Sequence, residues 1–505
     1  MGFSCCGANV WLPVVLLLPF VSSALILGFR RVPHSQEVLS ILASTVLFPV
    51  AAYLGFRAIN GAPSGLLKYN LSSKLTLAFA PEAFGVVFSI LVSLLWVITN
   101  IYTIGYMNNV YGKGNDRSVF YACFAASIGC TMCIAFAANI ATIFIFYEML
   151  TLCTYPLITH GRSQKALESG SAYIKTLLCS SVLLFLPLVV LVCSVSPAEL
   201  FSSDYLVAEK RPDLIPLLSV LLCYGVAKAA IMPLHTWLPR AMVAATPVSA
   251  LLHAVAVVKS GVFTIAKITV YALGVQGMYN ICNSANGAVN SGTLHVNVLM
   301  YASIATILLG SLCAIAQTNL KKLLAYSTIS QLSYITLAIS LYTDGAMSAA
   351  LLQMVGHAFA KITLFFAVGA IYASTGRTMI SELTGLGKAM PLTLAMFSLG
   401  AFAMIGIPPA GTIWGKFYIL SEALRQDNYL VVGTVLLSTL LNTLYFIPLI
   451  FRAFFIKGED VSVIKEAPLP LLLAMLATSL GTLFLFFKPD AVSGVMATVG
   501  TQIHF

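Results

Sequence analysis

Lys228-Ala-Ala-Ile-Met-Pro-Leu-His-Thr-Trp-Leu-Pro-Arg-Ala-Met-Val-Ala-Ala-Thr-Pro247 puts three prolines, a histidine and two cations into chain that is apolar on either side. Proline removes a backbone donor and its ring clashes with the preceding turn, so no regular helix runs through this stretch. The flanking segments, 213–234 and 247–273, are each long enough and apolar enough to cross a bilayer. Irregular backbone at membrane depth survives only where protein buries it or a wet cavity satisfies it, which is where transporters build their sites.

Composition extends that reading to the whole chain. Of 505 residues 59% are hydrophobic and 9% charged, with mean hydropathy +0.94. A soluble domain carries about 25% charged residues, so this chain has too little polar surface to cover itself in water. Strands of a membrane barrel would alternate apolar and polar residues. The apolar runs here are continuous, which predicts an all-α polytopic membrane protein.

Runs of spanning length fall near 8–29, 38–60, 82–105, 119–138, 139–159, 171–196, 213–234, 247–273, 296–317, 321–343, 346–374, 391–425, 428–455 and 468–488, fourteen in all. Asn139 alone separates the fourth from the fifth. A second break is expected at Ile405-Gly-Ile-Pro-Pro-Ala-Gly-Thr412, so the seventh and twelfth spans are both interrupted. Residues 10–29 lack a basic flank and an Ala-x-Ala cleavage site and read as a retained helix.

With the N-terminus outside, fourteen basic residues fall in inner loops and seven in outer loops and ends. That asymmetry is the positive-inside pattern, and an even span count then puts both termini outside a bacterial inner membrane. The formal charge of +10 reflects this orientation and anionic lipid. No basic stretch interleaves with aromatics in a polar segment, so nucleic acid is not an expected partner. The eleven cysteines lie mostly inside apolar runs and read as small buried residues. Cys130-Thr-Met-Cys133 has metal-like spacing with nothing to complete it, and no metal is expected.

Six of the 27 basic residues remain inside candidate helices: Lys175, Lys228, Lys259, Lys267, Lys361 and Lys416. Of the 17 acidic residues only Glu148, in Phe144-Ile-Phe-Tyr-Glu-Met-Leu150, sits deep in an apolar run. A charge at a helix centre costs roughly 2.5–3.5 kcal/mol even on the lenient insertion scale. Such charges face a hydrated interior, pair with one another or titrate; alternatively, they snorkel or brace packing. The alternative is strongest for Lys175 and Lys267, near helix ends. A Glu–Lys pair is a proton switch, because separating the partners favours release from the lysine. His253 precedes Lys259 by six residues and His357 precedes Lys361 by four, which suits relay. Lys321-Lys322 reads as a membrane-edge anchor, with Ser327, Ser330, Gln331 and Tyr334 following on an apolar helix.

The run Lys228-x4-Pro233-x-His-Thr-Trp237-Leu-Pro239-x-Ala-Met, then Thr246-Pro-Val-Ser-Ala-Leu-Leu-His253, resembles the signature of the proton-antiporter-like membrane subunits. These occur in Mrp-type cation/proton antiporters and in respiratory complex I. Phe146-Tyr-Glu148, Lys322-Leu-Leu-Ala-Tyr-Ser327-x3-Gln331, His357-Ala-Phe-x-Lys361, Leu383-x-Gly-Leu-x-Lys388 and Trp414-x-Lys416 fit in order, so the resemblance covers roughly residues 85–455. It implies two inverted five-helix repeats, spans four to eight and nine to thirteen. The expected organisation is residues 1–118 for three leading helices, 119–273 for the first repeat, 274–295 for an outer loop, 296–455 for the second repeat, and 456–505 for a last helix and tail. It implies a Glu148–Lys228 ion pair, Lys259 as the central lysine with His253 beside it, His357 and Lys361 continuing the axis, and Lys416 ending it.

The sequences around Glu148 and Lys259 look most like the D-type membrane subunit of an Mrp-type Na+/H+ antiporter, a transporter component exchanging protons and Na+ within a multisubunit assembly. The alternative is a proton-pumping subunit of NADH:quinone oxidoreductase (complex I). A third class is a structural subunit that has lost transport. No dinucleotide fingerprint or cluster-ligand cysteine set is present, so no cofactor is expected in any of these.

Overall fold

The computed structural model describes residues 3–6, 10–32, 34–60, 65–72, 75–112, 117–195, 200–201, 207–283, 297–458 and 464–494. Nearly all of them are helical. Eleven helices among them are long and apolar enough to cross a membrane, from Trp11–Gly28 to Leu469–Phe487. Pro212–Gly225 and Pro391–Ile405 are shorter apolar helices.

Polar residues mark where helices begin. Asn139 ends the fourth span and starts the fifth: its side-chain oxygen accepts from the Thr142 amide, while its NH2 donates to the Thr76 carbonyl. One orphan amide of the Ile140–Ile158 helix is thereby satisfied. Asn297, Asn319 and Thr343 cap the Val298–Ile315, Leu320–Ile339 and Asp344–Thr375 helices in the same way.

Both expected breaks are present. The helix Ile215–Gly225 stops, Ala227–Ala229 forms a single 3-10 turn, and Ala230 takes a left-handed φ of 58°. The run 391–425 is two helices, Pro391–Ile405 and Thr412–Arg425, with Gly406 at φ 94° ending the first. Three π-helical turns, Ser181–Phe185, Leu251–Val255 and Thr269–Gly274, were not anticipated.

Two other features depart from the sequence reading. A small antiparallel sheet, in the order β1-β2-β3, joins β1 (Phe3–Cys6), ahead of the first span, to β2 (Leu66–Ser72) and β3 (Leu75–Phe79) in the connection between the second and third spans. The expected 274–295 loop opens as a helix, Val275–Asn283. The rest of that loop lies outside the described residues.

Burial sorts the helices into an inside and a rim. The most apolar windows of Thr246–Cys282 and Asp344–Thr375 are wholly buried. Rim helices expose apolar rows: Leu436, Leu440 and Leu444 on Tyr429–Phe455, and Leu17, Val21 and Leu25 on Trp11–Gly28. Rows at a spacing of four residues form one stripe down a helix, an apolar face turned away from the rest of the bundle.

Candidate functional site

The two innermost spans carry the charges. His253, Lys259 and Lys267 lie on one, His357 and Lys361 on the other, and all five are fully buried. Lys228 is buried at the first helix break and Lys416, 5% exposed, beside the second.

At the first break the 3-10 turn presents Lys228 to the Ile140–Ile158 helix. Its ammonium donates to the Tyr147 carbonyl at 2.6 Å and the Thr151 hydroxyl at 2.7 Å, and lies over the Tyr147 ring. The Lys228 amide donates to the Tyr147 hydroxyl, and Trp237 Nε1 donates to the Ala227 carbonyl, holding both sides of the turn. Glu148 follows Tyr147, but among the described residues neither carboxylate oxygen has a hydrogen-bond partner although both are buried. The expected direct Glu148–Lys228 bond is therefore absent, because Lys228 is held by neutral acceptors on the next face of the same helix.

At the centre Lys259 Nζ lies 2.7 Å from His357 Nδ1. If the ammonium donates, Nδ1 accepts and the imidazole proton sits on Nε2. The sequence placed His253 beside Lys259, yet both His253 nitrogens are unpartnered among the described residues and its ring packs 4.7 Å from Phe365. His253 itself lies in a π-helical turn, Leu251–Val255, that precedes the regular helix Val257–Ile268 carrying Lys259.

From Lys361 a series of side chains leads to the second break. Lys361 donates to Ser327 Oγ at 2.9 Å, and the Tyr445 hydroxyl lies 3.2 Å from the same oxygen. Tyr445 is also 2.6 Å from Asn442 Oδ1, and Asn442 Nδ2 donates to the Met404 carbonyl at 3.4 Å. Lys416 donates to the Met404 and Ile405 carbonyls at 2.9 and 2.8 Å. These are the unpaired carbonyls at the end of the Pro391–Ile405 helix, where the helix dipole favours a cation. Gln331 also donates to Met404, and Gln353 donates to Gln331.

Several participants were missed from sequence. Asn442 and Tyr445 are polar positions in the apolar run Tyr429–Phe455, a signal that was there to read. Glu82, just before the third span, forms an ion pair with Lys267 at 3.1 Å, so Lys267 does not snorkel. Glu422 is a second missed buried acid, held by Thr343 and Arg425. Lys175 is exposed on the outer side of its helix and stands apart from the site. Lys322 is exposed, as an edge anchor requires. Among the described residues no group of three or more His, Cys, Asp or Glu side chains is placed to hold a metal ion.

Residues 137–442, more than half of the chain, match the family described as NADH:quinone oxidoreductase/Mrp antiporter, TM. The chain is 28% identical over 475 residues to NADH-quinone oxidoreductase subunit N of Desulforudis audaxviator (strain MP104C), covering 92% of this chain and 90% of that one. It is 30% identical over 441 residues to a probable K(+)/H(+) antiporter A/B subunit of Rhizobium meliloti (strain 1021), covering 85% and 41%. The chain spans about half the length of several curated relatives it matches, including 57% of a chloroplast NAD(P)H-quinone oxidoreductase subunit 5 from Lemna minor. The Mrp complex from Dietzia sp. DQ12-45-1b contains a polypeptide of the same fold, with TM-score 0.84, 17% identity and coverage of 98% of each chain.

Proposed function

Because the chain belongs to the NADH:quinone oxidoreductase/Mrp antiporter membrane-subunit family, we propose that it carries protons through the bilayer along its buried lysines. The observation that carries this reading is the hydrogen-bonded series from Lys361 through Ser327, Tyr445, Asn442 and the Met404 carbonyl to Lys416. Hydroxyl and ammonium groups can pass protons; the amide and carbonyl position the far lysine. Lys259 and His357 supply the central donor–acceptor pair, and His253 stands by as a relay. Glu148 and Lys228 form the first switch: Lys228 leaves its neutral acceptors to pair with the carboxylate, then gives up its proton when the pair parts.

The protein works within a multisubunit membrane assembly, as the D-type component of an Mrp-type antiporter exchanging Na+ for protons. The repeats 119–273 and 296–455 would each hold one broken helix, and the termini would face outward from a bacterial inner membrane. One observation favours the complex I reading instead: subunit N of NADH-quinone oxidoreductase matches over nine tenths of its length. Copurification separates the two. Recovery with small Mrp partners and no flavin or iron–sulfur subunits supports antiport, and recovery with an NADH-oxidising arm reverses the assignment.

The pathway itself is tested by Lys361→Ala and Lys416→Ala in everted vesicles containing the assembled complex. Each is expected to abolish the pH gradient. Parental gradients from both variants would refute conduction along this series.

A further inference from the structure

We propose that Glu82 and Lys267 form a second proton-exchange site, which joins Lys259 to the aqueous end of the bundle through the helix between them. The inference rests on the conduction reading above and adds a branch to it.

Lys267 is fully buried, and its ammonium lies 3.1 Å from Glu82 Oε2 and 2.9 Å from the Ala135 carbonyl. The Glu82 side chain keeps 19% exposure. It stands at the N-cap of the Ala83–Val110 helix, beside the end of β3 and the C-terminus of the Ser118–Phe136 helix. One partner therefore reaches the end of the bundle and the other lies inside it. Tyr271, one turn beyond Lys267, is a further titratable group close to Glu82.

Lys259 and Lys267 share the regular helix Val257–Ile268, eight residues and about 12 Å apart. Ser260 and Thr264 lie between them, and together with Lys267 fall at i, i+4 and i+7, one face of the helix. Both are fully buried, and among the described residues neither hydroxyl has a hydrogen-bond partner. Helical serines and threonines normally return their hydroxyl to the carbonyl four residues back, as Thr328 and Thr363 do. Ser260 and Thr264 do not, which leaves two polar groups free to carry a proton between the lysines. Phe263 stacks on Phe84 and Phe88 at 5.0 and 4.4 Å, an apolar wall one position away from Thr264.

The step is a hand-off without redox change. Lys267 gives its proton to Glu82, which releases it at the end of the bundle, and Lys267 is recharged from Lys259 through the two hydroxyls. The reverse order carries protons inward. A purely structural ion pair needs only a lasting positive charge, which arginine keeps, whereas proton exchange fails because a guanidinium does not deprotonate in proteins.

The assembled complex in everted vesicles is assayed with Lys267→Arg, Lys267→Met, Glu82→Gln and Lys416→Ala. Separately, Thr264→Cys and Val262→Cys are treated with a small water-soluble thiosulfonate, and the modified peptides are read by mass spectrometry. All three variants of the pair are expected to lose transport at least tenfold, with Thr264→Cys modified and Val262→Cys not. Parental transport by Lys267→Arg, or a Thr264→Cys as unreactive as Val262→Cys, would overturn the branch. Loss at Lys416→Ala alongside either result leaves the main series standing, whereas normal transport by Lys416→Ala counts against that series first. Should the pair variants fail to assemble, the labelling of Thr264→Cys decides: modification supports the branch, and protection overturns it.

Discussion

Gly261 sits where the helix of Lys259 crosses the break that holds Lys228, and adding one methyl group there tests whether that crossing matters. A Cβ at Gly261 would lie 2.4 Å from the Ala229 amide nitrogen and 2.5 Å from the Lys228 carbonyl carbon. Ordinary contact begins near 3.4 Å, so the 3-10 turn must retreat by about 3.4 − 2.4 = 1.0 Å. These are backbone atoms, which cannot swing aside as a side-chain tip can. The Lys228 ammonium bonds at 2.6 and 2.7 Å would stretch to about 3.6 and 3.7 Å if the retreat is along them, beyond hydrogen-bonding reach. Overpacking costs about 1–3 kcal/mol, and each lost charge-assisted bond about 1.5–3 kcal/mol. Gly261→Ala is therefore expected to assemble with reduced thermal stability and to lose transport at least tenfold. Gly433→Ala, where nothing lies within 4 Å, is the matched control and should behave as the parent. The assay is pH-gradient formation in everted vesicles, normalised to assembled complex on a native gel. Parental transport by assembled Gly261→Ala would show that the 228 turn does not need its present position.

Two further outcomes are expected. Tyr445→Phe removes the hydroxyl that joins Ser327 to Asn442; it should lower transport at least tenfold at a stability cost of only about 0.5–1.5 kcal/mol per lost bond, and an unchanged rate would take Tyr445 out of the series. Outside the membrane, Glu382 accepts from the Met379 and Thr378 amides, which holds its carboxyl below the ordinary value of 4.5. Because the folded-state value is depressed, the bonds steady this loop above pH 4.5 and their contribution fades as pH falls through the lower folded value. Protection factors at Thr378 and Met379, taken against the intrinsic exchange rate at each pH, should fall in that acid window, and the fall should be absent in Glu382→Gln. An unchanged response in the variant would assign it to another group.

What the sequence could tell followed from cost. Charges and prolines are expensive in an apolar chain, so Lys228, Lys259, Lys361, Lys416 and both breaks stood out before any coordinates did. Partners did not, because they come from other helices and from local geometry that periodicity cannot reveal. The side chain that meets Lys259 is His357, which comes from a different span, and not His253 six residues before it. Glu82 opens the third apolar run, 82–105, and gives no sign of a partner in the sequence; only the crossing of its helix over the end of Ser118–Phe136 brings it to Lys267. Asn442 and Tyr445 lie in a rim helix with one exposed and one buried face, and their burial becomes clear only from which side of Tyr429–Phe455 they occupy.

The coincidence of lysines with broken helices has a physical cause. A helix that stops inside a bilayer leaves carbonyls without amide partners, and no water reaches them from lipid. At the second break the Met404 and Ile405 carbonyls are such groups, and Lys416 satisfies them. At the first break the turn itself carries Lys228 to the carbonyl of Tyr147 on another helix. In each case an acceptor and an ammonium reduce each other's cost of burial, so neither is tolerable alone. Removing the ammonium of Lys416 should then do more than interrupt proton flow: the Ile405 carbonyl would lose its lysine donor, Met404 would keep only Gln331 and Asn442, and the Pro391–Ile405 helix end should loosen. A positive charge that is kept but cannot release its proton separates the two effects. Lys416→Arg is expected to keep the assembled complex as thermally stable as the parent while transport is lost; Lys416→Ala should lose both. If arginine restored transport as well as stability, the lysine would be a cap and nothing more.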